Sequence, residues 1–425
     1  MTHAPTEYDE TENGGEGFMP DGNPLRRSIT EKFDIVIGAV VAAIFTAVHG
    51  ATSLFWVFPG DSARYIATIL GIEPVVAPRN QIFIAFFRLV SALGGSRYAT
   101  TMASITTLAF SSLCIFMVYL LSVAVFRMLT DLDYLHFNVH KGEKWLWTAP
   151  RAAGVIAAAA LGLSAPFWTA STRVNADSFY LSFILLAAYL LVRFLATDRL
   201  WTLYGASALY GVLCVQSPAA LQFFPLFAAL VAFGALRGDR PIPLTLAVPG
   251  AIAAVSACAV AAICIWAFTL GDGYRVMHYS GPGRVFEVFV SGMVSGAFSG
   301  FSRSHWLIIG FTTTIPFLAW LAAGKWALDG TRYVPLRFLD LAIFLASLLV
   351  LSGSRYSPWG LFGVRPEQIV ASTMASMSLA YCFIACHQQA LFLFNRAGAP
   401  PFPGARLFGA IARFFVAVVC VAVLS

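Results

Sequence analysis

Residues 33–58 read FDIVIGAVVAAIFTAVHGATSLFWVF and run straight into Pro59-Gly60-Asp61-Ser62. About 20 consecutive, mostly apolar residues let a helix cross the hydrocarbon core of a bilayer. This stretch meets that length, and a tight-turn signal and an acid follow it. Comparable apolar runs recur near 100–126, 152–170, 178–196, 201–216, 218–236, 244–270, 306–328, 338–351, 368–393 and 407–425. The run at 338–351 is short and reads equally as a partial span. The pattern predicts an all-α, polytopic transmembrane helix bundle of about 11 spans, at roughly 30 to 35 residues for each span and its connection. Short connections at 197–200 and 237–243 make their flanking helices antiparallel neighbours.

Composition leads to the same class. Of 425 residues, 59% are hydrophobic and 11% charged, with a mean hydropathy of +0.76. An ordinary soluble protein carries about 25% charged residues. These values exclude a soluble globular enzyme, a disordered protein and a nucleic-acid-binding domain. The net charge of +6 is unevenly spread: residues 1–21 hold six acids and no Lys or Arg, leaving 15 acids against 27 basic residues. Residues 1–32 therefore read as a disordered acidic tail, and 33–425 as one transmembrane domain. The tail does not resemble a cleavable signal peptide, because its start is acidic and the apolar run that follows is too long. The last run reaches Ser425 without a polar flank. It reads either as a helix ending at the outer surface or as part of a chain that continues. Cys382 and Cys386 share a helix face and read as packing residues, with no metal-ligand partners at suitable spacing.

Lys and Arg set the orientation. With the N-terminus cytoplasmic, the inner segments carry 16 basic residues, including all four lysines, and the outer segments carry 10, all arginine. The chain is thus expected to be an integral, multi-pass protein, in a bacterial inner membrane, with membrane lipids as partners and no nucleic acid. Two long connections, 57–99 and 271–305, fall outside. The first holds two amphipathic stretches, Ala63–Leu70 and Gln81–Leu93. They read as helices lying in the interface plane, with Ile82, Phe83, Phe86, Val90 and Leu93 on one face.

The outer connections hold the candidate chemistry. Asp61 follows the first span directly, where a carboxylate serves as a general base toward a hydroxyl or caps the helix that follows. Asp177, in Arg173-Val174-Asn175-Ala176-Asp177-Ser178, either approaches Asp61 from the same side or caps a helix beginning at Ser178. The outer arginines Arg275, Arg284, Arg303 and Arg355 sit beside Gly and aromatic residues and suit a phosphate or lipid headgroups. His49 and His387, inside apolar runs, read as helix–helix hydrogen bonds. No Walker loop, dinucleotide fingerprint, zinc signature or Gly-x-Ser-x-Gly elbow is present.

The layout resembles the GT-C superfamily of membrane glycosyltransferases, and within it the protein O-mannosyltransferase-like branch. Members of that branch carry Gly-Asp-Ser-Gly-Glu-Phe in the first loop, then Leu-Gly and a His-Pro-Pro-Gly stretch. Here Gly60-Asp61-Ser62-Ala63-Arg64-Tyr65 and Leu70-Gly71-Ile72-Glu73-Pro74 stand in those places. Phe167-Trp168 followed by Ala176-Asp177 resembles the branch's Phe-Trp and Ala-Glu. Gly211 through Pro225 follows its Gly-Leu, His, Pro spacing. The similarity covers roughly residues 35–230. Arg64 replaces the branch's Glu, Glu73 lies near its first His, and Ser217 replaces its second.

The resemblance implies a GT-C-type, inverting transferase of the cell envelope. It would move a sugar from a polyprenyl-phosphate donor to a hydroxyl on a protein or glycan acceptor. Asp61 would be the catalytic base. Asp177 and Glu73 would orient the acceptor or a metal. Arg64, Arg275, Arg284, Arg303 and Arg355 would bind the donor phosphate. A divalent metal, Mg or Mn, bridging Asp61 and that phosphate is left open. The alternative is a non-catalytic lipid-binding, lipid-flipping or assembly protein on the same scaffold. Orientation is testable now: reporter fusions at Glu73 and Arg284 should both give an outer signal, and a cytoplasmic signal at both would overturn it.

Overall fold

A computed structural model describes residues 32–53, 61–75, 80–95, 98–131, 143–217, 242–271 and 277–298, with isolated positions at 220–231, 274–275 and 369–377. The spans expected over 306–328, 338–351, 407–425 and most of 368–393, with His387, Cys382 and Cys386, lie outside the described residues. Those described are all-helical, with no strand. The helices are α1 Lys32–Thr52, α2 Asp61–Ile69, α3 Gln81–Gly94, α4 Ala99–Asp131, α5 Glu143–Leu163, α6 Ala165–Ser171 and α7 Ala176–Thr197. Then come α8 Leu200–Gln216, α9 Ile242–Thr269 and α10 Pro282–Phe298. Among them α1, α4, α7 and α9 are long and apolar enough to cross a membrane, and α5 with α6 makes a fifth if a bent pair counts as one span. This is a membrane protein.

The central element is α4. Its face of Cys114, Ile115, Val118, Tyr119, Leu121 and Val123 is fully enclosed by α1, α5 and α7. Glycines let the neighbours come close. A Cβ on Gly38 of α1 would lie 2.8 Å from one edge of the Tyr119 ring, and a Cβ on Gly154 of α5 would lie 2.8 Å from the other. Any side chain there would push the helices apart, so Tyr119 is clamped between two backbones. A second layer, α7–α8–α9, packs as tightly: a Cβ on Gly211 would strike the backbone of Ala253.

At the end where α1 begins, Asp34 is fully buried. Its carboxylate meets Arg127 of α4 at 2.7 Å and the Nε of Arg151 of α5 at 2.8 Å. The Arg151 guanidinium also lies over the Phe33 ring, 5.4 Å from its centroid. One carboxylate therefore ties three helices. At the same end Asp198, left-handed at φ 56, closes α7 and turns the chain into α8; Asp tolerates that conformation better than most residues.

At the opposite end, the span expected over 152–170 is broken. α5 stops at Leu163 and α6 leaves at 71°. Pro166 is the cause: it has no N–H for the carbonyl of Gly162, four residues earlier. His49 of α1 satisfies that orphan instead, its Nε2–H donating to Gly162 O at 2.9 Å. The helix–helix hydrogen bond expected of His49 is present. Its ring is walled by Phe45, Phe167 and Trp168. Helix α1 is thus fixed at both ends, while Ile35, Val36, Val40, Ile44 and Val48 face outward as a lipid-compatible stripe.

Removing one partner of a buried ion pair leaves the other charge stranded, at a cost of about 3–5 kcal/mol. Asp34→Ala should lower stability by about that amount in equilibrium SDS unfolding. A loss below about 0.5 kcal/mol would show that the cluster does not hold α1.

Candidate functional site

The loop after α1 folds back onto the bundle. α2 offers Ile66 and Ile69, and α3 offers Phe83, Ile84 and Phe87. They pack with Val174, Ala176, Phe179 and Tyr180 at the start of α7, and with Tyr210 and Leu213 of α8. Beneath them runs a ladder of rings: Phe83 on Phe87 at 4.2 Å, Phe86 on Phe179 at 5.7 Å, and Phe179 on Phe110 at 4.7 Å. The connection after α1 and the link before α7 therefore occupy one end of the bundle and share one hydrophobic cluster.

Asp61 is the first residue of α2; its carboxylate lies outside the described atoms. Asp177 is half-buried in the first turn of α7. It does not cap that helix. Asn175 does, accepting the Asp177 N–H at 2.9 Å from an extended backbone. The helix begins two residues earlier than expected, with Asn175 as its cap, a residue that caps about as well as Asp. The Asp177 side chain does not carry the capping bond and sits in the first turn of α7, at the positive end of the helix dipole.

The remaining candidates are dispersed. Arg64 on α2 and Glu73 beyond it are exposed. Arg275 is exposed, and Arg284, at the start of α10, pairs with Glu287 at 2.6 Å on the surface. Arg303 and Arg355 lie outside the described residues. Arg173, in the link between α6 and α7, is half-buried instead, and desolvation lowers its guanidinium from the ordinary value. Reading by Gly and aromatic neighbours singles out Arg275 and Arg284 and passes over Arg173, whose neighbours are Thr172 and Val174. Among the described residues, no group of three or more His, Cys, Asp or Glu is placed to hold a metal.

Helix α3 has 14 residues, about 21 Å of helix against a hydrocarbon core of about 30 Å. Its buried face is Phe83, Ile84, Phe87 and Ser91, and its outward apolar face is Ile82, Phe86, Leu89 and Leu93. This corrects the expected grouping. The face follows i, i+4 spacing from Phe83, and Val90 and Leu93 turn away from it. Arg88 donates from Nη2 at 2.8 Å and Nε at 3.3 Å to the Thr68 carbonyl at the end of α2. That carbonyl, in the last turn of α2, also accepts the Gly71 N–H at 3.2 Å.

Spin labels at Leu89 and Leu93 in liposomes should report one shallow depth. A label at Leu93 lying far deeper than one at Ile82 would mean that α3 dips into the core, and would remove the interfacial reading. No family model, no curated protein and no solved structure matches this chain, so its functional reading rests on these residues and their arrangement.

Proposed function

We propose that the chain is a membrane glycosyltransferase of the GT-C type, moving a sugar from a polyprenyl-phosphate donor to a hydroxyl acceptor at the outer face of a bacterial inner membrane. The N-terminus is cytoplasmic in this reading, and about 11 spans are completed by the segments after residue 300. One observation carries it. The first-loop helices pack directly on the start of α7, so the acid opening α2 and the uncapped acid in the first turn of α7 belong to one end of the bundle. A transferase of this type needs both there.

The chemistry is a single displacement. Asp61 takes the proton of the acceptor hydroxyl. The resulting oxygen attacks the anomeric carbon, and the bond from that carbon to the lipid phosphate oxygen breaks. The phosphate leaves with the electron pair, and the configuration inverts. Asp177 orients the acceptor. An arginine stabilises the charge that grows on the phosphate: half-buried Arg173 in the link before α7 is one choice, and Arg284, exposed and paired with Glu287, is another. That surface ion pair and the exposure of Arg64, Arg275 and Glu73 favour a second reading, a non-catalytic lipid-handling or assembly protein.

Incubation with labelled polyprenyl-phosphate sugars separates the two. Asp61→Asn retains a good helix-start residue but accepts no proton, so transfer should drop by at least ~10²-fold. Asp177→Asn should act more mildly. Wild-type turnover in the Asn variant of Asp61 would discard the base assignment, and the scaffold reading would replace it.

A further inference from the structure

The first turn of α3 lacks a cap of its own. Asn80, just before it, is left-handed at φ 63 and makes no side-chain cap bond. Its amide donates to the Tyr65 hydroxyl of α2 at 3.1 Å instead. The exposed N–H groups of a helix start need acceptors, and here the acceptors come from other helices. The Ile82 N–H donates to Gln216 Oε1 at 3.3 Å, and the Phe83 N–H donates to the Tyr180 hydroxyl at 3.4 Å. Tyr180 donates in turn to the same Gln216 oxygen at 3.4 Å. Gln216 Nε2 donates to Cys264 Sγ of α9 at 3.1 Å, which fixes which way the amide faces. Gln216 is fully enclosed and Tyr180 nearly so.

We infer that Gln216 and Tyr180 are positioning residues: a cap borrowed from α7 and α8 that sets where α3, and with it the helix opening at Asp61, sits on the bundle. The link onward to α2 is Arg88, whose guanidinium holds the Thr68 carbonyl, together with the Asn80–Tyr65 bond and the Tyr65–Phe83 ring contact at 5.2 Å. Helix α3 packs its apolar face of Phe83, Ile84 and Phe87 into the shared cluster, and apolar contacts alone choose no single register. Its placement therefore follows the ends of α7, α8 and α9, to which this network ties it. The inference deepens the transferase reading by naming what aligns its base. It depends on that reading only for the effect on turnover.

The test is hydrogen–deuterium exchange of the full chain in lipid nanodiscs, which requires no activity. Gln216→Met keeps length and apolar volume but removes the amide oxygen. It should speed exchange at Ile82 and Phe83 by at least ~10-fold, the signature of local opening, with α4 amides unchanged. Tyr180→Phe, which removes one hydroxyl, should speed Phe83 with little change at Ile82. Gln216→Glu keeps an acceptor and should stay near wild type. Unchanged exchange at both positions in the Met and Phe variants would overturn the inference. So would a rise shared equally by α4, because that is general loosening. If the wild type transfers sugar, Gln216→Met should lower kcat and leave the donor KM in place. A wild type that transfers nothing would sink the transferase reading alone, with the exchange data still deciding the cap.

Discussion

A fully buried carboxylate at the head of α1 governs the rest of the architecture. Asp34 engages Arg127 and Arg151 at once, so three helices have one admissible relative register at that end. A buried charge removed from its partners is costly, whereas apolar side chains sliding against one another are not. Apolar helices in lipid have no strong reason to choose one register over another, since lipid tails are as apolar as leucine. The ion cluster supplies that reason. The Tyr119 ring then fills the space between Gly38 and Gly154, which only works at the spacing the cluster dictates.

The two ends of the bundle use different chemistry. The Asp34 end is held by full charges. The opposite end is held by neutral hydrogen bonds: His49 to Gly162, Tyr180 and Gln216 to α3, and Tyr210 to the Ala220 carbonyl at 2.7 Å. Most of these meet backbone groups that a proline or a helix start has left without a partner. In a bilayer such groups have no water to turn to, so each irregularity at this end calls for a side chain from another helix. Broken helices and short interfacial helices therefore come with buried polar residues, and Gln216 and His49 are two of them.

Much of the fold is legible in the residues. Span length and hydropathy locate α1, α4, α7 and α9, and the turn residues at 59–62 mark where α1 gives way to α2. The break at Leu163 is legible too once Pro166 is weighed against a carbonyl four residues earlier, but an apolar run conceals it. The Asp34 cluster is not legible, because its members are 93 and 24 residues apart along the chain from Asp34 to Arg127 and on to Arg151. A single acid at the start of an apolar run looks like an interfacial flank. For the candidate site, the sequence yields Asp61 and Asp177 by position but assigns the cap of α7 to Asp177, where the structure gives it to Asn175. It does not yield Gln216, an uncharged residue at the end of an apolar helix whose partners are a backbone N–H 134 residues away and the side chains of Tyr180 and Cys264.

This division bears on where motion is tolerated. Opening the Asp34 end exposes charge to lipid, whereas opening the Gln216 end exchanges a few neutral hydrogen bonds for water at the interface, where water is available. The smaller penalty falls on α2 and α3, the helices that carry Asp61. In the transferase proposed above, a donor with a long lipid tail and an acceptor from water would approach such a site from different sides, and part of its wall would have to yield. The helix pair held by neutral bonds can do this while Tyr119 and the Asp34 cluster keep the spanning helices in register. The same asymmetry explains why α3 is tied by two acceptors on different helices. A single tether would leave it free to pivot, and the separate bonds at Ile82 and Phe83 fix both the position and the direction of its axis.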